Sequence, residues 1–533
     1  MFNLAISFKK YFVITAVGCL FAFNSSAQQF YNVTKYGAKN DSSKLATAAI
    51  KKAIDAASKA GGGTVYFPAG KYLTGSIHLK SNITIFIDAG AELHFSDNFD
   101  DYLPMVESRY EGVDVKSFSS LFYAYKAENI AIKGRGIIDG HGKKWWDFVE
   151  GYKEGQQRSK WQLMFDELNK DILLPDEPKQ MKRGFLRPPF IQPMYCKNVL
   201  IEGITIRNSP FWTVNPQFCE NVTINAVTIF NPDSFAPNTD GINPESCNNV
   251  HISNSHISVG DDCITIKSGK DKPGRAKNVP AENYTITNCT MLSGHGGVVI
   301  GSEMSGGVRK IAISNCVFDG TDRGIRIKSA RGRGGVVEEI RVDNIIMKNI
   351  RDQAIVLDLQ YAKTNPEPVS ERTPQFRNIH FSNITGSGIN EACFINGLVE
   401  MPVENITFSN INIDAKTGFN IKEARRIEFH NVQVNTEIGP SIKAENVKML
   451  EVDGVKSFTP HTNVPILDFT NVEDAFVYDS FSPAGTDIYL KLKGDKTKGI
   501  TLDGNNFKNV KIPVVKENGV TEIVQLEQRN IVK

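Results

Sequence analysis

The chain has 533 residues, of which 41% are hydrophobic and 23% are charged, and this composition excludes wholesale disorder. Lysine and arginine together number 61 and aspartate and glutamate number 59, so the net charge is only +2 and general nucleic-acid binding is not favoured. An anionic ligand would therefore have to be recognised by local positive charge.

The first 27 residues are typical of a secretory signal peptide. Lys9 and Lys10 precede an apolar run from Tyr11 to Phe23, and small residues follow up to Ala27. We expect cleavage after Ala27 and export to the periplasm or the medium. The apolar run is too short to cross a bilayer, so no membrane span is predicted. Lipid attachment at Cys19 is the alternative, and it would hold the protein at the cell surface.

Residues Ala46 to Lys59 carry alanine and isoleucine at helical spacing, and the glycines that follow predict the end of a helix. A four-residue motif then recurs, in which asparagine precedes an apolar, a polar and another apolar residue. It begins at Asn82, Asn129, Asn198, Asn221, Asn249, Asn283, Asn378, Asn405 and Asn446. The alternation is that of strands, and clear steps of 23, 28 and 27 residues fit one coil of a solenoid.

We therefore predict an all-β fold, a single parallel β-helix spanning residues 28–533, with the helix covering its N-terminal end. The asparagine amides should stack and hydrogen-bond from coil to coil. Cys196, Cys219 and Cys247 each stand two residues before such an asparagine. They should stack as well, and buried thiols are favoured over disulfides. A solenoid with covered ends is expected to be a monomer.

Two segments lack the repeat, Tyr102 to Ser120 and Trp145 to Pro189. The second, taken as an insertion at about residues 145–189, is expected to be a long loop packed over the binding face. From about Gly485 onward the repeats become short and irregular, which predicts a C-terminal cover over residues 485–533.

Five consecutive coils between residues 238 and 357 can be aligned by their strand pattern. The alignment places Asp240 above Asp262, and it stacks Asp261 with His295 in the adjoining column. Because neighbouring parallel strands lie about 4.8 Å apart, three carboxylates and an imidazole should converge. At least one carboxyl group should then keep a proton near neutral pH, as general acid/base hydrolysis requires. A lone aspartate here would be ordinary turn chemistry, but the set in register favours a function.

Arg326 and Lys328 point to one outer face of the next coil, and Lys267 shares the column of Lys328 two coils earlier. Cations beside a carboxylate cluster indicate a ligand that itself carries a carboxylate. No set of cysteine and histidine with metal-ligand spacing and no phosphate-binding glycine loop occurs here, so neither a metal nor a cofactor is predicted.

The strings Asn238-Thr-Asp-Gly, Gly260-Asp-Asp, Gly294-His-Gly and Arg326-Ile-Lys328 resemble, in this order, the four signature segments of the polygalacturonases of glycoside hydrolase family 28. The N-terminal part, with Tyr36-Gly-Ala, is similar to pectin-lyase-like β-helix proteins. The likeness covers roughly residues 30–434. It implies a right-handed parallel β-helix and inverting hydrolysis of α-1,4-galacturonosyl bonds.

The resemblance makes Asp261 the general acid and His295 the group that tunes or orients it. Asp240 and Asp262 would activate the attacking water. Inverting enzymes generally separate acid and base by about 6.5–9.5 Å, whereas adjacent coils predict a shorter distance with the water held between Asp240 and Asp262. By the same resemblance, Asn238 would line the site.

Arg326 and Lys328 would hold the galacturonate carboxylate next to the scissile bond, and Lys267 is added to the binding residues from its column. Release of single residues from chain ends is the favoured mode, because the long segment could close one end of the groove. Its Arg183 and Arg187 could also hold a terminal acid group.

Three other functions remain open at this point. A hydrolase of the same family could cut rhamnogalacturonan or pectic oligosaccharides with the same cations. A calcium-dependent pectate lyase could use the three aspartates as ligands. A carbohydrate-binding β-helix without catalysis would keep the repeat, but it would have no need for the aligned carboxylates.

Overall fold

The computed structural model describes residues 30–532 except 152–154, 156, 173–185, 233–235, 363, 518, 521–524 and 527–528. The predicted signal peptide and Cys19 lie outside the described residues. In the part of the chain that is described, no helix is long and apolar enough to cross a membrane.

Three columns of parallel strands stack along the chain and form the predicted all-β solenoid. The first column carries the asparagine motif and contains Phe30–Asn32, Gly63–Phe67, Ile83–Ile87, Glu128–Gly134, Lys197–Glu202, Glu220–Asn225, Asn248–Ser253, Ala281–Thr287, Val308–Asp319, Val336–Lys348, Gln375–Asn396, Val403–Thr436, Ile442–Asp453, Glu473–Tyr478, Lys498–Asp503 and Gln525–Leu526. The five longest of these strands bend through more than one column. The parallel β-helix predicted from the repeat is confirmed.

The second column follows the first within each coil and contains Asp41–Leu45, Gly70–Thr74, Ala91–Phe95, Ile137–Asp139, Thr205–Arg207, Thr228–Phe230, His256–Ser258 and Thr290–Ser293. The third column, called the site column below, contains Ile77–His78, Phe122–Tyr125, Ile191–Met194, Ile264–Ile266, Val298–Gly301, Ile325–Lys328, Gln353–Asp358, Pro465–Thr470, Thr486–Lys493 and Val510–Lys516. Single bridges through Val214 and Ile242 connect the site column across two coils.

The asparagine ladder forms as predicted. The side-chain amide of Asn129 donates to Asn82 at 2.9 Å, Asn198 donates to Asn129 at 2.8 Å, and Asn221 donates to Asn198 at 3.1 Å. These asparagines have φ between 54° and 64°, in the left-handed region that asparagine tolerates better than most residues. The motif therefore fixes both the corner of each coil and its register.

The N-terminal helix Thr47–Lys59 covers the first coil, as predicted, and buries Ala49, Ile50, Ala53, Ile54 and Ala57. Short 3-10 helices lie at Val33–Tyr36 and Phe99–Tyr102, and a further helix lies at Asp271–Lys277. The seven cysteines within the described residues are buried and unpaired, which confirms the preference for thiols.

The segment expected to be a long loop contains two helices in its described part, Lys143–Glu150 and Lys160–Leu168. Aromatic and apolar residues recur there at helical spacing, and Trp145 is fully buried with its ring stacked 4.0 Å from that of Phe99. The prediction of a loop was therefore wrong over these residues. The helices do not form a separate lobe, because Trp145 belongs to the solenoid's own core cluster.

The segment Tyr102 to Ser120 forms an antiparallel hairpin, Val106–Tyr110 with Val113–Ser117. The hairpin is joined to the end of the helix Lys160–Leu168 through Asn169. The side-chain amide of Asn169 donates to the backbone carbonyl of Lys116 at 2.8 Å and accepts from the backbone N–H of Lys116 at 2.7 Å. The two segments that break the repeat thus pack on one another.

The C-terminal part differs from the predicted irregular cover. Thr486–Lys493 and Val510–Lys516 pair in parallel and continue the site column, and Lys498–Asp503 continues the first column. Thr486–Lys493 and Lys498–Asp503 lack the asparagine motif, so the alternation alone could have indicated them in the sequence.

Candidate active site

The three aspartates meet at the turn that leads into the site column. Ile242 pairs with Ile264, which pairs with Val298, so the register predicted from the sequence is confirmed. The backbone N–H of the residue after Asp240 donates to the Asp262 carbonyl at 3.0 Å. One oxygen from each of the three carboxylates lies within 4.8 Å of the other two.

Asp261 is paired with His295 on the next coil. The imidazole Nδ1 lies 3.2 Å from Asp261 Oδ1, and the His295 backbone N–H donates to the Asp261 carbonyl at 2.9 Å. Gly294 permits this approach, because a Cβ there would lie 2.5 Å from the Asp261 carbonyl oxygen. The glycine before the histidine is therefore needed for the close contact between the two coils.

Asp262 is buried and faces two cations on the second coil after its own. Lys328 Nζ donates to Asp262 Oδ2 at 2.8 Å, and Arg326 Nη1 lies 3.7 Å from Oδ1. Oδ1 is itself buried and accepts no hydrogen bond from the described residues.

Asp240 is the most strongly perturbed carboxyl group of the three. Its Oδ2 accepts from Asn243 at 3.0 Å and lies 3.9 Å from Lys267 Nζ. Burial, followed by repulsion from Asp261, raises the pKa of Asp240 to about 8, despite the nearby ammonium group. Asp240 therefore holds a proton at neutral pH in the substrate-free protein.

The pKa of Asp261 moves in the opposite direction. Burial alone would raise it, but the hydrogen bond from His295 and the charges of Lys328, His295 and Lys267 together lower it. The same hydrogen bond raises the pKa of His295. The sequence predicted that one carboxyl group would stay protonated, and in the free protein that group is Asp240.

The predicted binding residues fall into two groups. Arg326 and Lys328 lie together beside Asp262, as expected. Lys267 lies elsewhere, because its ammonium is buried, donates to Glu303 Oε2 at 2.7 Å and sits 4.6 Å from the centre of the Trp212 ring. Its nearest carboxylates are therefore Glu303 and Asp240, and its predicted contact with substrate stays a prediction.

Asn238 lies at the rim of the carboxylate cluster. Its Nδ2 is 3.5 Å from Asp261 Oδ2, and its Oδ1 accepts from Arg187 Nη2 at 2.7 Å. Arg187 is buried with its guanidinium 4.9 Å from the centre of the Phe211 ring. It thus supports Asn238 instead of presenting a free charge, while Arg183 lies outside the described residues.

Tyr361 belongs to the site and was not predicted. Its ring lies 5.5 Å from the Arg326 guanidinium and 5.4 Å from Lys328 Nζ, and 47% of the residue is exposed. It stands in a loop after the strand Gln353–Asp358, where no repeat fixes a register. The only available signal was an aromatic residue in a break of the repeat.

The groove is closed on the N-terminal side of the carboxylates. Outward-facing side chains of the site column have no exposed surface in four successive coils, at Gln192, Asn215, Asn243 and Thr265. Val299, which follows them in this column, is buried as well, but beside the column exposed side chains appear on the later coils, with His295 side-chain exposure at 52% and Tyr361 exposure at 47%.

The hairpin Val106–Tyr110/Val113–Ser117 supplies this cover. Arg109 donates to Glu245 Oε1 at 2.7 Å, and the Tyr110 ring stacks 4.5 Å from that of Phe211. Both hairpin residues are buried. The hairpin therefore occupies the part of the groove that would lead past Asp240.

The three carboxylates are close enough together to hold a divalent cation. However, the ammonium groups of Lys267 and Lys328 already lie 3.9 Å from Asp240 and 2.8 Å from Asp262. Two resident positive charges oppose the charge of the cluster and disfavour a third cation. The arrangement fits proton transfer better than calcium-dependent elimination.

Comparison with known proteins agrees with this chemistry. Residues 176–457 match the family model described as glycosyl hydrolases family 28, and residues 30–156 match one described as rhamnogalacturonase A/epimerase, pectate lyase-like. An exo-poly-alpha-D-galacturonosidase of Dickeya chrysanthemi is 32% identical over 80% of this chain and 75% of its own. An endo-polygalacturonase of Pectobacterium carotovorum is 31% identical over 72% of this chain and 88% of its own. The solved exopolygalacturonase of Thermotoga maritima has a TM-score of 0.68 and 34% identity, covering 76% of this chain and 91% of that one.

Proposed function

The chain belongs to glycosyl hydrolase family 28, and we propose that this glycoside hydrolase cleaves α-1,4-galacturonosyl bonds by inversion, releasing residues from chain ends. One observation carries the proposal. Asp240, Asp261 and Asp262 converge within 4.8 Å, beside Arg326 and Lys328. The carboxylates can transfer protons, and the cations can hold the substrate's carboxylate.

Asp261 is proposed as the general acid, because it is the most exposed of the three carboxylates and faces the groove with His295. Asp240 and Asp262 are proposed to hold the attacking water. A water that hydrogen-bonds two oxygens at about 2.8 Å each bridges roughly 4.5 Å, which is compatible with carboxylate oxygens that lie within 4.8 Å of one another. The cluster is thus shorter than the spacing usual for inverting enzymes.

The acid role requires the proton to move from Asp240 to Asp261 when substrate binds. Lys328 is one of the charges that lower the pKa of Asp261. A galacturonate carboxylate that pairs with Lys328 would offset that charge, and a sugar ring over Asp261 would remove water from it. Both changes raise the pKa of Asp261 and favour the protonated acid.

Action from chain ends is supported by the closed groove and not by similarity, since similar proteins are named both exo and endo. The hairpin carrying Arg109 and Tyr110 packs over the groove up to the coil of Asp240, where Arg109 contacts Glu245, whereas His295 and Tyr361 on the later coils are about half exposed. A polymer threading through the site would have to displace the buried pair of Arg109 and Glu245.

The test is one incubation of the mature protein with polygalacturonic acid and a calcium chelator. Reducing ends, the ultraviolet absorbance of unsaturated products and product size are followed together. We expect reducing ends without absorbance, and monomer from the first time points. Asp261→Asn is the control, and it should still bind the polymer while losing turnover.

Three outcomes would contradict parts of this proposal. Absorbance of unsaturated products would indicate elimination. An early ladder of oligomers would contradict the exo mode alone. Product only from rhamnogalacturonan or short pectic oligosaccharides would move the substrate within the family, and no product from any of them would favour a binding scaffold.

Export and the monomeric state also belong to the proposal. Residues 1–27 support export, and the hydrolysis of a polymer requires the enzyme to meet it outside the cytoplasm. N-terminal sequencing of the secreted protein should begin at Gln28, whereas acylation at Cys19 would leave it with the membrane fraction. Sedimentation of the mature protein should give the mass of one chain.

A further inference from the structure

A second cluster of ionisable side chains lies in the second strand column, on coils before the active site. His94 stands on the strand Ala91–Phe95 and pairs with Asp139 on the next strand, while His141 follows in the turn after it. One ligand atom from each of the three residues lies within 4.8 Å of the other two. His94 Nδ1 faces His141 Nε2 at 3.0 Å.

The outer contacts of the cluster orient these atoms toward a common point. His94 Nε2 lies 3.2 Å from Glu92 Oε2, so Nδ1 is the nitrogen left to face inward. Arg207 Nε donates to Asp139 Oδ2 at 2.7 Å, and Asn208 Nδ2 donates to Oδ1 at 3.0 Å. These two bonds hold the carboxylate with Oδ1 on the side of His141, 3.9 Å from its Nε2. His94 Nε2 makes no hydrogen bond of good geometry within the described residues, so only a small turn of the ring separates it from the carboxylate partner that imidazole ligands of metals commonly have.

The backbone also places His141. Its φ is 48°, in a region that a residue other than glycine rarely adopts, and its N–H donates to Asp139 Oδ1 at 3.0 Å. Gly140 and Gly142 on either side pack too closely against the next coil for a Cβ, which would lie 2.6 and 2.5 Å from backbone oxygens. The turn is thereby pressed against the solenoid with the imidazole turned back over Asp139.

We propose that His94, Asp139 and His141 bind a divalent transition-metal ion, of which zinc fits best. Zinc takes histidine nitrogen at about 2.0–2.1 Å and carboxylate oxygen at about 2.0–2.2 Å in tetrahedral sites. That geometry sets two ligand nitrogens about 3.3 Å apart, close to the separation of the two imidazoles. His141 is 46% exposed at its side chain, so water completes the fourth position.

The metal would clip the turn to the solenoid just before the helix Lys143–Glu150. That helix buries Trp145 and begins the insertion. The clip is separate from the active site, because its residues lie on coils that precede Asp240. This inference does not depend on the proposed hydrolysis.

The test uses the full mature protein, purified without a histidine tag and treated with chelator. Zinc binding is measured by competition with a chromophoric chelator, and the melting temperature is recorded against zinc concentration. We expect one equivalent bound and a melting temperature that rises with zinc. His94→Ala and His141→Ala should each weaken binding by more than about 100-fold, and Glu92→Gln by about 10-fold.

His430→Ala is the matched control. Its imidazole also lies beside two carboxylates, 3.3 Å from Asp453 and 3.6 Å from Glu428, but within the described residues no second histidine completes a ligand set with it. This variant should bind zinc like the wild type. One equivalent retained by both His94→Ala and His141→Ala would place the metal elsewhere and overturn the proposal. Absence of binding by the wild type at micromolar zinc would reduce the cluster to a hydrogen-bonded histidine pair.

Discussion

Replacing Asp240 with asparagine should stabilise the protein relative to the wild type, and increasingly so as the pH rises. In the folded protein the pKa of Asp240 is raised to about 8, because the carboxyl group is buried beside Asp261. In the unfolded chain it returns to near 3.8. Between these values the folded state keeps a proton that the unfolded state has released, so wild-type stability falls with rising pH. Asparagine carries no such proton.

The magnitude follows from the two pKa values. Each pH unit in this window changes the free energy of unfolding by about 1.4 kcal/mol, so three units, from about pH 4.5 to about 7.5, give about 4 kcal/mol. For about 500 residues, an unfolding entropy of about 2.1 cal/mol/K per residue makes 1 kcal/mol worth about 1 °C. The melting temperature of Asp240→Asn minus that of the wild type should therefore grow by about 4 °C.

Differential scanning calorimetry across this pH range measures the gap. Glu400→Gln serves as the control, because the pKa of Glu400 is lowered by its hydrogen bond from Arg331, at 2.9 Å for one of the two contacts. The difference in melting temperature between Glu400→Gln and the wild type should stay constant above about pH 5, since Glu400 is then ionised in both the folded and the unfolded state. Replacing Asp261 as well should shrink the Asp240→Asn effect, because the Asp261 charge contributes to the raised pKa. A gap that is constant or narrows as the pH rises would refute a neutral Asp240.

Three further substitutions test other parts of the structure. Arg326→Ala should lower kcat/KM on polygalacturonate by about 10–100-fold, because a charge-assisted contact is lost. The loss of kcat/KM should be much smaller on methyl-esterified polymer, and equal losses on both polymers would contradict carboxylate recognition. Tyr361→Ala should lower kcat/KM by about 10-fold while Tyr361→Phe keeps most activity, and equal losses in the two variants would show that the hydroxyl matters more than the ring. Asn221→Ala removes two amide hydrogen bonds of 3.1 Å each and places alanine at a φ of 57°. The free energy of unfolding should fall by about 1–3 kcal/mol, measured as a drop of about 1–3 °C in melting temperature. An unchanged melting temperature would mean that the ladder fixes register without adding stability.

The alignment of the coils could be read from sequence because two signals act together. Strand alternation sets which residues point inward, and the asparagine motif sets where each coil starts. With both fixed, Asp240, Asp262 and His295 had to meet, and the pairing of Ile242 with Ile264 and Val298 bears this out. The C-terminal strands escaped prediction because only the alternation remained there.

Where a long side chain ends was not predictable from its column. Lys267 and Lys328 share a column, but Glu303 draws the Lys267 ammonium into the protein, whereas Lys328 reaches Asp262. Glu303 stands in a turn with no repeat, so nothing in the sequence connected it to Lys267. Tyr361 was missed for the same reason. The repeat predicts backbone positions, and contacts with side chains from its interruptions decide where the long side chains at those positions end.

The buried Lys267 gives the site a property that the predicted arrangement lacked. Its charge opposes the rise in the pKa of Asp240, and the bond to Glu303 holds it 3.9 Å away instead of in direct contact. In direct contact, the ammonium would favour the ionised form of Asp240 and remove the proton that the acid step needs. With no ammonium nearby, Asp240 would hold its proton too firmly to pass it to Asp261. In the proposed mechanism, the intermediate distance would keep one transferable proton among the three carboxylates, and Glu303 would influence the acid step by holding Lys267 although it does not touch the aspartates.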